Sequence, residues 1–483
     1  MGLFGILLGL GILIWLSFRG WSVLVLTPAA ALIAALAAGE PLLAHWTQTF
    51  MDSAGGFLAQ FFPLFLLGAV FGKLMEDSGS VSTIARFMTE RLGPRRAVLA
   101  VVLAGALVTY GGVSLFVAFF VLGPMAQALF RTADIPGRLM PAAIALGTTT
   151  FTMSALPGTP AIQNAIPMPF FGTTLFAAPG LGIIAALIML GFGLWWLARA
   201  EAAARRAGEG YGDTLVVPDA AAEDLLVRER ATTASSFDPV EMHRSLPSEE
   251  GPGVLVAILP LILVILVNLA MSALVLPRLD TSFLAEARWG ETPLSAVSGV
   301  WSVIVALISA IAVLVVLNYR RLPALRASVD AGANASVLPV LSVASLVGFG
   351  AVVAAMPAFE AVRNWVLGIE GGPLVSLALA TNILAALTGS ASGGMTIALD
   401  ALGATYMQIA GGLGIDPALM HRVAVIGAGT LDSLPHNGAV VTLLAVCGST
   451  HRKSYFDIVM VAIVGAVLAL AAVIFLGSRF GSF

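Results

Sequence analysis

The chain has 483 residues, of which 59% are hydrophobic and only 11% charged, with a mean hydropathy of +0.97 and a formal net charge of −3. That balance excludes an ordinary soluble domain, and the lack of a basic surplus excludes nucleic acid as a partner. The sequence is that of an integral membrane protein whose first partner is the lipid bilayer.

Apolar runs recur at Ile6 to Trp15, Val23 to Ala38, Leu181 to Leu197, Val254 to Ala273, Val303 to Leu317 and Val459 to Leu476. Each approaches or reaches the roughly 20 residues that cross ~30 Å of hydrocarbon. None alternates with period two, so the spans are helices and the fold class is an all-α polytopic membrane protein. The first run has no basic residue before it and no clean cleavage pattern after it, and reads as a retained helix rather than a secretory signal.

Basic residues cluster in a few gaps: Arg19, Lys73 to Arg96, Arg131 and Arg138, Arg199 to Arg206, Arg320 to Arg326, and Arg452 with Lys453. The positive-inside rule places these gaps in the cytoplasm and the N-terminus outside. The threading closes if residues 97–130 enter and leave on one face. The first arm of that segment, before Tyr110-Gly111-Gly112, has about 14 residues against the roughly 17 that a span needs, so a re-entrant hairpin is expected. Just upstream, Lys73, Glu76 and Asp77 end a span, where solvated or snorkelling side chains are expected.

A second hairpin is expected at 374–399, its flanks carrying Glu360, Glu370, Asp400 and Asp416 but only Arg363, so it opens to the outside. Five crossings lie between the two (139–171, 175–198, 253–276, 294–318 and 336–356), an odd number that puts the hairpins on opposite faces. The polar stretch 201–250 has little apolar content to bury and reads as a flexible cytoplasmic linker between an N-terminal half, 1–200, and a C-terminal half, 251–483. Cys447 has no partner cysteine in the chain and is expected to serve packing.

The halves share motifs. "TYGGVSLF" (109–116) lies over "TGSASGGM" (388–395) at an offset of 278, and at the same offset "SALPGTPA" (154–161) lies over "DSLPHNGA" (432–439). Leu139-Met140 matches Leu419-Met420, and Gly147 matches Gly427, with a two-residue slip. Pro157, Pro160, Pro435 and Gly438 predict two broken helices, at 139–171 and 418–448. Opposed halves with interrupted helices at like positions are the pattern of an inverted-repeat secondary transporter.

Backbone groups freed at a break cannot face lipid, so they line a cavity or are buried in protein, and helix N-termini there favour an anion. Candidate substrate contacts are Gly111, Gly112, Gly158 and Gly389; the hydroxyls of Ser114, Ser154, Thr159, Ser390, Ser392 and Ser433; and the amides of Gln163, Asn164 and Asn437. Taken singly, each serine fits a bond back to its own helix equally well; together the clusters favour a pathway. Asp432 and His436 are ionisable and four apart, with Pro435 between them. They are the expected ion-coupling pair, taking up a proton on one side and releasing it on the other. A buried Asp–His hydrogen bond that only pins the break is the competing explanation.

The segments "GKLMEDSG" (72–79), Leu92-Gly93 before the basic pair, the Gly-rich first tip, "SALPGTPA", "TGSASGG" and "GTLDSLPHNGA" together resemble the gluconate:proton symporter (GntP) family of permeases. The resemblance covers nearly the whole chain apart from the linker. It implies proton-coupled uptake of sugar acids or related small organic anions across a bacterial inner membrane, with no cofactor and no metal. The chain departs from the family pattern at Gly111-Gly112 and at Leu156-Pro157-Gly158, so a hydroxybutyrate, citrate or other sugar acid stands beside gluconate; Na⁺ stands beside the proton because Ser, Asn and carbonyl groups at the hairpin tips could hold it. A homodimer is left open. A membrane-embedded hydrolase is disfavoured because neither H-E-x-x-H nor G-x-S-x-G occurs, Ala391 standing where the serine of "GSASG" would be.

Overall fold

The computed structural model describes residues 2–18, 21–212, 251–435 and 437–483; most of the expected linker and His436 lie outside the described residues. Every regular element among them is helical. In chain order they are α1 (Gly2–Phe18), α2 (Val23–Ala38), α3 (Leu42–Asp77), α4 (Ser80–Leu92), α5 (Ala97–Tyr110), α6 (Leu115–Thr132), α7 (Met140–Thr148), α8 (Phe151–Ser154), α9 (Ile162–Ala165), α10 (Pro167–Phe171) and α11 (Pro179–Arg206). After the gap follow α12 (Val254–Arg278), α13 (Leu294–Arg321), α14 (Leu325–Ala355), α15 (Phe359–Leu367), α16 (Pro373–Thr388), α17 (Ala391–Leu413), α18 (Pro417–Thr430), α19 (Gly438–Val446) and α20 (His451–Phe480). Helices α3, α6, α11, α12, α13, α14 and α20 are long and apolar enough to cross a bilayer, which makes this a multi-pass membrane protein.

Local chemistry sets many of the boundaries. Ser114, Ser390, Asp416 and Asn437 each cap a following helix by accepting a backbone N–H bond, and Gly389 and Gly414 close helices in the left-handed region. Three expected boundaries shift. Helix α11 runs on to Arg206, because Ala- and Arg-rich residues 199–206 are strong helix formers. Beyond it Tyr211 N donates to Asp134 Oδ1 at 2.8 Å and Arg138 Nε to Glu209 Oε1 at 2.8 Å, so the start of the expected linker is strapped to the ends of α6 and α7. Helix α14 begins at Leu325 rather than 336, and α17 continues to Leu413 rather than stopping at 399, no proline or left-handed glycine intervening before Gly414.

Close helix crossings use glycine. Gly147 on α7 presses on the carbonyl oxygen of Val102 on α5, and Gly427 on α18 meets Thr381 and the carbonyl of Ala378 on α16. A helical Gly→Ala change ordinarily gains up to about 1 kcal/mol. Gly147→Ala should have the opposite sign, because the new methyl would collide with backbone that cannot rotate away. We expect its melting temperature in detergent to fall by several degrees, read by intrinsic fluorescence; an unchanged or raised value would show that α5 and α7 do not cross this closely.

Candidate functional site

Both expected breaks are present. Residues 155–161 interrupt the chain between α8 and α9, where Pro157 and Pro160 lack N–H donors and Gly158 holds φ at +82°. Residues 431–435 and 437 lie between α18 and α19, around Pro435. Side chains satisfy the freed carbonyls. Tyr110 Oη donates to Pro157 O at 2.8 Å, and Asn164 Nδ2 to Thr159 O at 3.1 Å and Leu175 O at 3.0 Å. In the second break Tyr455 Oη donates to Ser433 O at 3.1 Å and His451 Nε2 to Pro435 O at 2.7 Å.

The tip of α5–α6, the tip of α16–α17 and the two breaks meet at a cavity of about 300 Å³, walled also by α3 and α14. Its size and mixed lining suit a small ligand. Three helices of eight or more residues begin on its wall: α6 after Ser114, α17 after Ser390 and α19 after Asn437. Their positive dipole ends therefore lie at one space, although Phe116, Ala391, Gly393 and Ala439 N–H already donate to side-chain acceptors. Asp432 Oδ1 accepts from Ala391 N at 2.8 Å and from Asn437 Nδ2 at 2.7 Å, and Asn437 Nδ2 also reaches Gly389 O at 2.8 Å. Asp432 and Asn437 thus tie the second tip to the second break. Ser390 and Ser392 hydroxyls lie 3.2 Å apart beside them.

Of the expected contacts, Gly112, Ser114, Gln163, Gly389, Ser390, Ser392, Asp432 and Asn437 lie on this wall, and Gln163 Oε1 has no hydrogen-bond partner among the described residues. Among the other described candidates, Gly111, Ser154, Gly158, Thr159, Asn164 and Ser433 do not line it. Gly111 packs on Leu261, Gly158 on the Phe176 ring, and Thr159 is fully buried. Ser154 Oγ donates back to Thr150 O at 3.1 Å, and Ser433 is buried with its carbonyl bonded by Tyr455. In an irregular stretch successive side chains point to different sides, so composition locates the loop but not its open face. The left-handed tip glycine is Gly112 in the first pair and Gly389 in the second, a one-residue slip from the sequence alignment.

Asn164 belongs to a buried knot instead. Its Oδ1 accepts from Arg422 Nη1 at 3.3 Å and lies 3.2 Å from His421 Nε2, while His421 Nδ1 lies 2.6 Å from Thr173 Oγ1. Arg422 also donates to Ser154 O and Ala177 O. Sequence reasoning passed over this pair, although an arginine and a histidine inside the apolar run "PALMHRVAVIGAGT" were the signal. Lys73 and Glu76, expected to be solvated, are on the cavity wall, with Lys73 only 6% exposed. The cause is that α3 ends within the protein, against the first tip, where Gly72 faces the amide of Ser114.

Known proteins resemble the chain at two levels. It is 40% identical over 484 residues, 98% of each chain, to the uncharacterized transporter YxjC of Bacillus subtilis. It is 34% identical over 166 residues to the high-affinity gluconate transporter of Escherichia coli, 34% of this chain and 36% of that one. The crystal structure of the Alcanivorax borkumensis YdaH transporter superposes with a TM-score of 0.52 at 17% identity, over 90% of this chain and 87% of that one, a likeness of fold. The GntP family permease profile matches residues 1–475, and the chain belongs to that family of transporters.

Proposed function

We propose that the protein is a secondary active transporter importing a small organic anion, a sugar acid such as gluconate or another hydroxy-carboxylate, by proton symport. The observation that carries this is the meeting of three helix N-termini at one cavity whose remaining polar groups are mostly neutral hydroxyls and amides. The N-termini supply partial positive charge for a carboxylate, and the hydroxyls and amides pair with a polyhydroxy chain. Asp432 on the same wall is the proton carrier in this scheme, with His436 as its partner. Substrate contacts are drawn from Gly112, Ser114, Gln163, Gly389, Ser390, Ser392 and Asn437.

An inverted repeat with two re-entrant pairs is supported by like roles at like positions. Gly147 and Gly427 each press their helix onto the first arm of their own half's pair, and each tip is tied to the following break, through Tyr110 and Pro157 in one half and Asn437 and Gly389 in the other. The N-terminus is outside and the setting a bacterial inner membrane in this scheme. The gluconate transporter relative supports the substrate class.

The test is uptake of labelled gluconate, then of other hydroxy-carboxylates, into proteoliposomes with an alkaline interior. Accumulation against the gradient that a protonophore abolishes is expected. Accumulation that needs a Na⁺ gradient instead overturns proton coupling, and no accumulation of any hydroxy-carboxylate overturns the substrate class.

A further inference from the structure

We propose that Lys73 is the counter-cation of the substrate's carboxylate, and that Glu76 occupies it between substrates and is displaced on binding; this rests on the anion-transport reading above. Lys73 Nζ, one turn before the end of α3, lies 3.2 Å from Glu76 Oε2 and 3.2 Å from Asp77 Oδ1, both in the last turn. The two carboxylates are not equivalent. Asp77 is fully buried behind the wall, whereas Glu76 shares the cavity wall with Lys73 and its side chain stays 12% exposed. An entering anion can therefore compete for the ammonium with Glu76 but not with Asp77.

Helix electrostatics oppose acids in the last turn of a helix, so the end of α3 does not account for the two carboxylates beside Lys73. Retaining Asp77 as an anchor and Glu76 as a replaceable partner accounts for both. The position fits a ligand end. Gly72, next to Lys73, is so close to the first tip that a Cβ there would lie 3.5 Å from Ser114 N, the cap of α6. A carboxylate at the N-terminus of α6 thus meets a helix dipole and an ammonium together. The other acid on the wall, Asp432, stands with Ser390, Ser392 and Asn437 at the second tip, where it accepts hydrogen bonds and suits the hydroxyl end of the solute. The substrate class is then a molecule with a carboxylate at one end and hydroxyl donors toward the other. Binding exchanges one ion pair for another, Lys73–Glu76 for Lys73–carboxylate, with no covalent bond made or broken.

Binding of gluconate, glycerate and citrate, and of uncharged sorbitol, to the purified full-length protein tests this by thermal shift and calorimetry. Glu76→Gln removes the competitor and should tighten carboxylate binding several-fold. Lys73→Gln should weaken it about tenfold or more, the scale of one charge-assisted contact, while Lys73→Arg keeps most of it. Sorbitol binding should not change in any variant. Loss of affinity in Glu76→Gln, or a Lys73→Arg variant that folds but binds as weakly as one without the cation, overturns the assignment, since a purely structural ion pair behaves that way. Should Lys73→Gln fail to fold, Glu76→Gln and Lys73→Arg carry the test. Carboxylate binding to the wild-type protein that ignores all three changes overturns the assignment alone; no carboxylate binding to the wild-type protein removes the transport reading, and the assignment with it.

Discussion

Arg422→Leu is expected to abolish recovery of folded protein. Arg422 is fully buried on α18, and no carboxylate among the described residues forms an ion pair with it. Its guanidinium donates instead to Ala177 O at 2.7 and 3.2 Å, to Ser154 O at 3.3 Å and to Asn164 Oδ1 at 3.3 Å. These acceptors belong to the first interrupted stretch, its edge and its return, and Ser154 ends α8, so its carbonyl has no following helical N–H to bond. A cation contributed by the C-terminal half thus neutralises carbonyl groups freed by the break in the N-terminal half. Hydrogen bonds to a charged group contribute about 1.5–3 kcal/mol each, and acceptors stranded without donors cost about 1–3 kcal/mol each. Leucine removes the donors and keeps the acceptors buried, a loss of roughly 5 kcal/mol or more, on the scale of the total stability of an ordinary domain. Arg422→Lys, a point charge without the planar fork, should be intermediate. Size-exclusion profiles and melting curves in detergent decide it: wild-type behaviour of Arg422→Leu would show that the first break is held by other contacts.

Asp432→Asn should leave the protein folded and binding its substrate while eliminating pH-driven accumulation. Among the described residues, the two hydrogen bonds to the Asp432 carboxylate, from Ala391 N and from the Asn437 amide, reach the same oxygen, Oδ1. An asparagine with its carbonyl oxygen in that place keeps both bonds and loses only the charge and the ability to take a proton. The substitution therefore separates coupling from scaffolding. Asp432→Ala, by contrast, deletes both bonds and unties the second tip from the second break, so it should lower the melting temperature as well. With a pH gradient imposed across proteoliposomes, the Asp432→Asn protein should show exchange of internal for external substrate but no net uphill uptake. Retained uphill uptake would remove Asp432 from proton coupling, and loss of binding would make it a ligand or a strut rather than a carrier.

Clustered with glycine and polar residues, Pro157, Pro160 and Pro435 mark helix ends, whereas Pro28, Pro63, Pro124, Pro260 and Pro339, set singly in apolar runs, lie inside helices. Pro157, Pro160 and Pro435 lack the N–H that a continuous helix needs, and each falls in a break. The limits at 399 and 336 coincide with edges of apolar zones; helices α17 and α14 continue past those edges because backbone bonding does not depend on side-chain polarity.

The candidate site was legible by region and not by face. Of the second tip and second break, Gly389, Ser390, Ser392, Asp432 and Asn437 do share a cavity. Of the expected residues in and beside the first break, Gln163 alone does so, while Ser154, Gly158, Thr159 and Asn164 turn into the protein.

By itself the sequence determined that this is a multi-pass helical membrane protein, which segments cannot be continuous helices, and that polar groups gather there, because each of these follows from hydropathy, missing donors or residue type within a short window. Only the tertiary structure decided that Lys73 and Glu76 stand on the same wall as Asp432, and that Arg422 bonds the carbonyl of Ser154, 268 residues away in the chain. Those partnerships join groups distant along the chain, and which of many buried donors meets which freed carbonyl is set by how the helices cross, at contacts such as Gly147 on Val102.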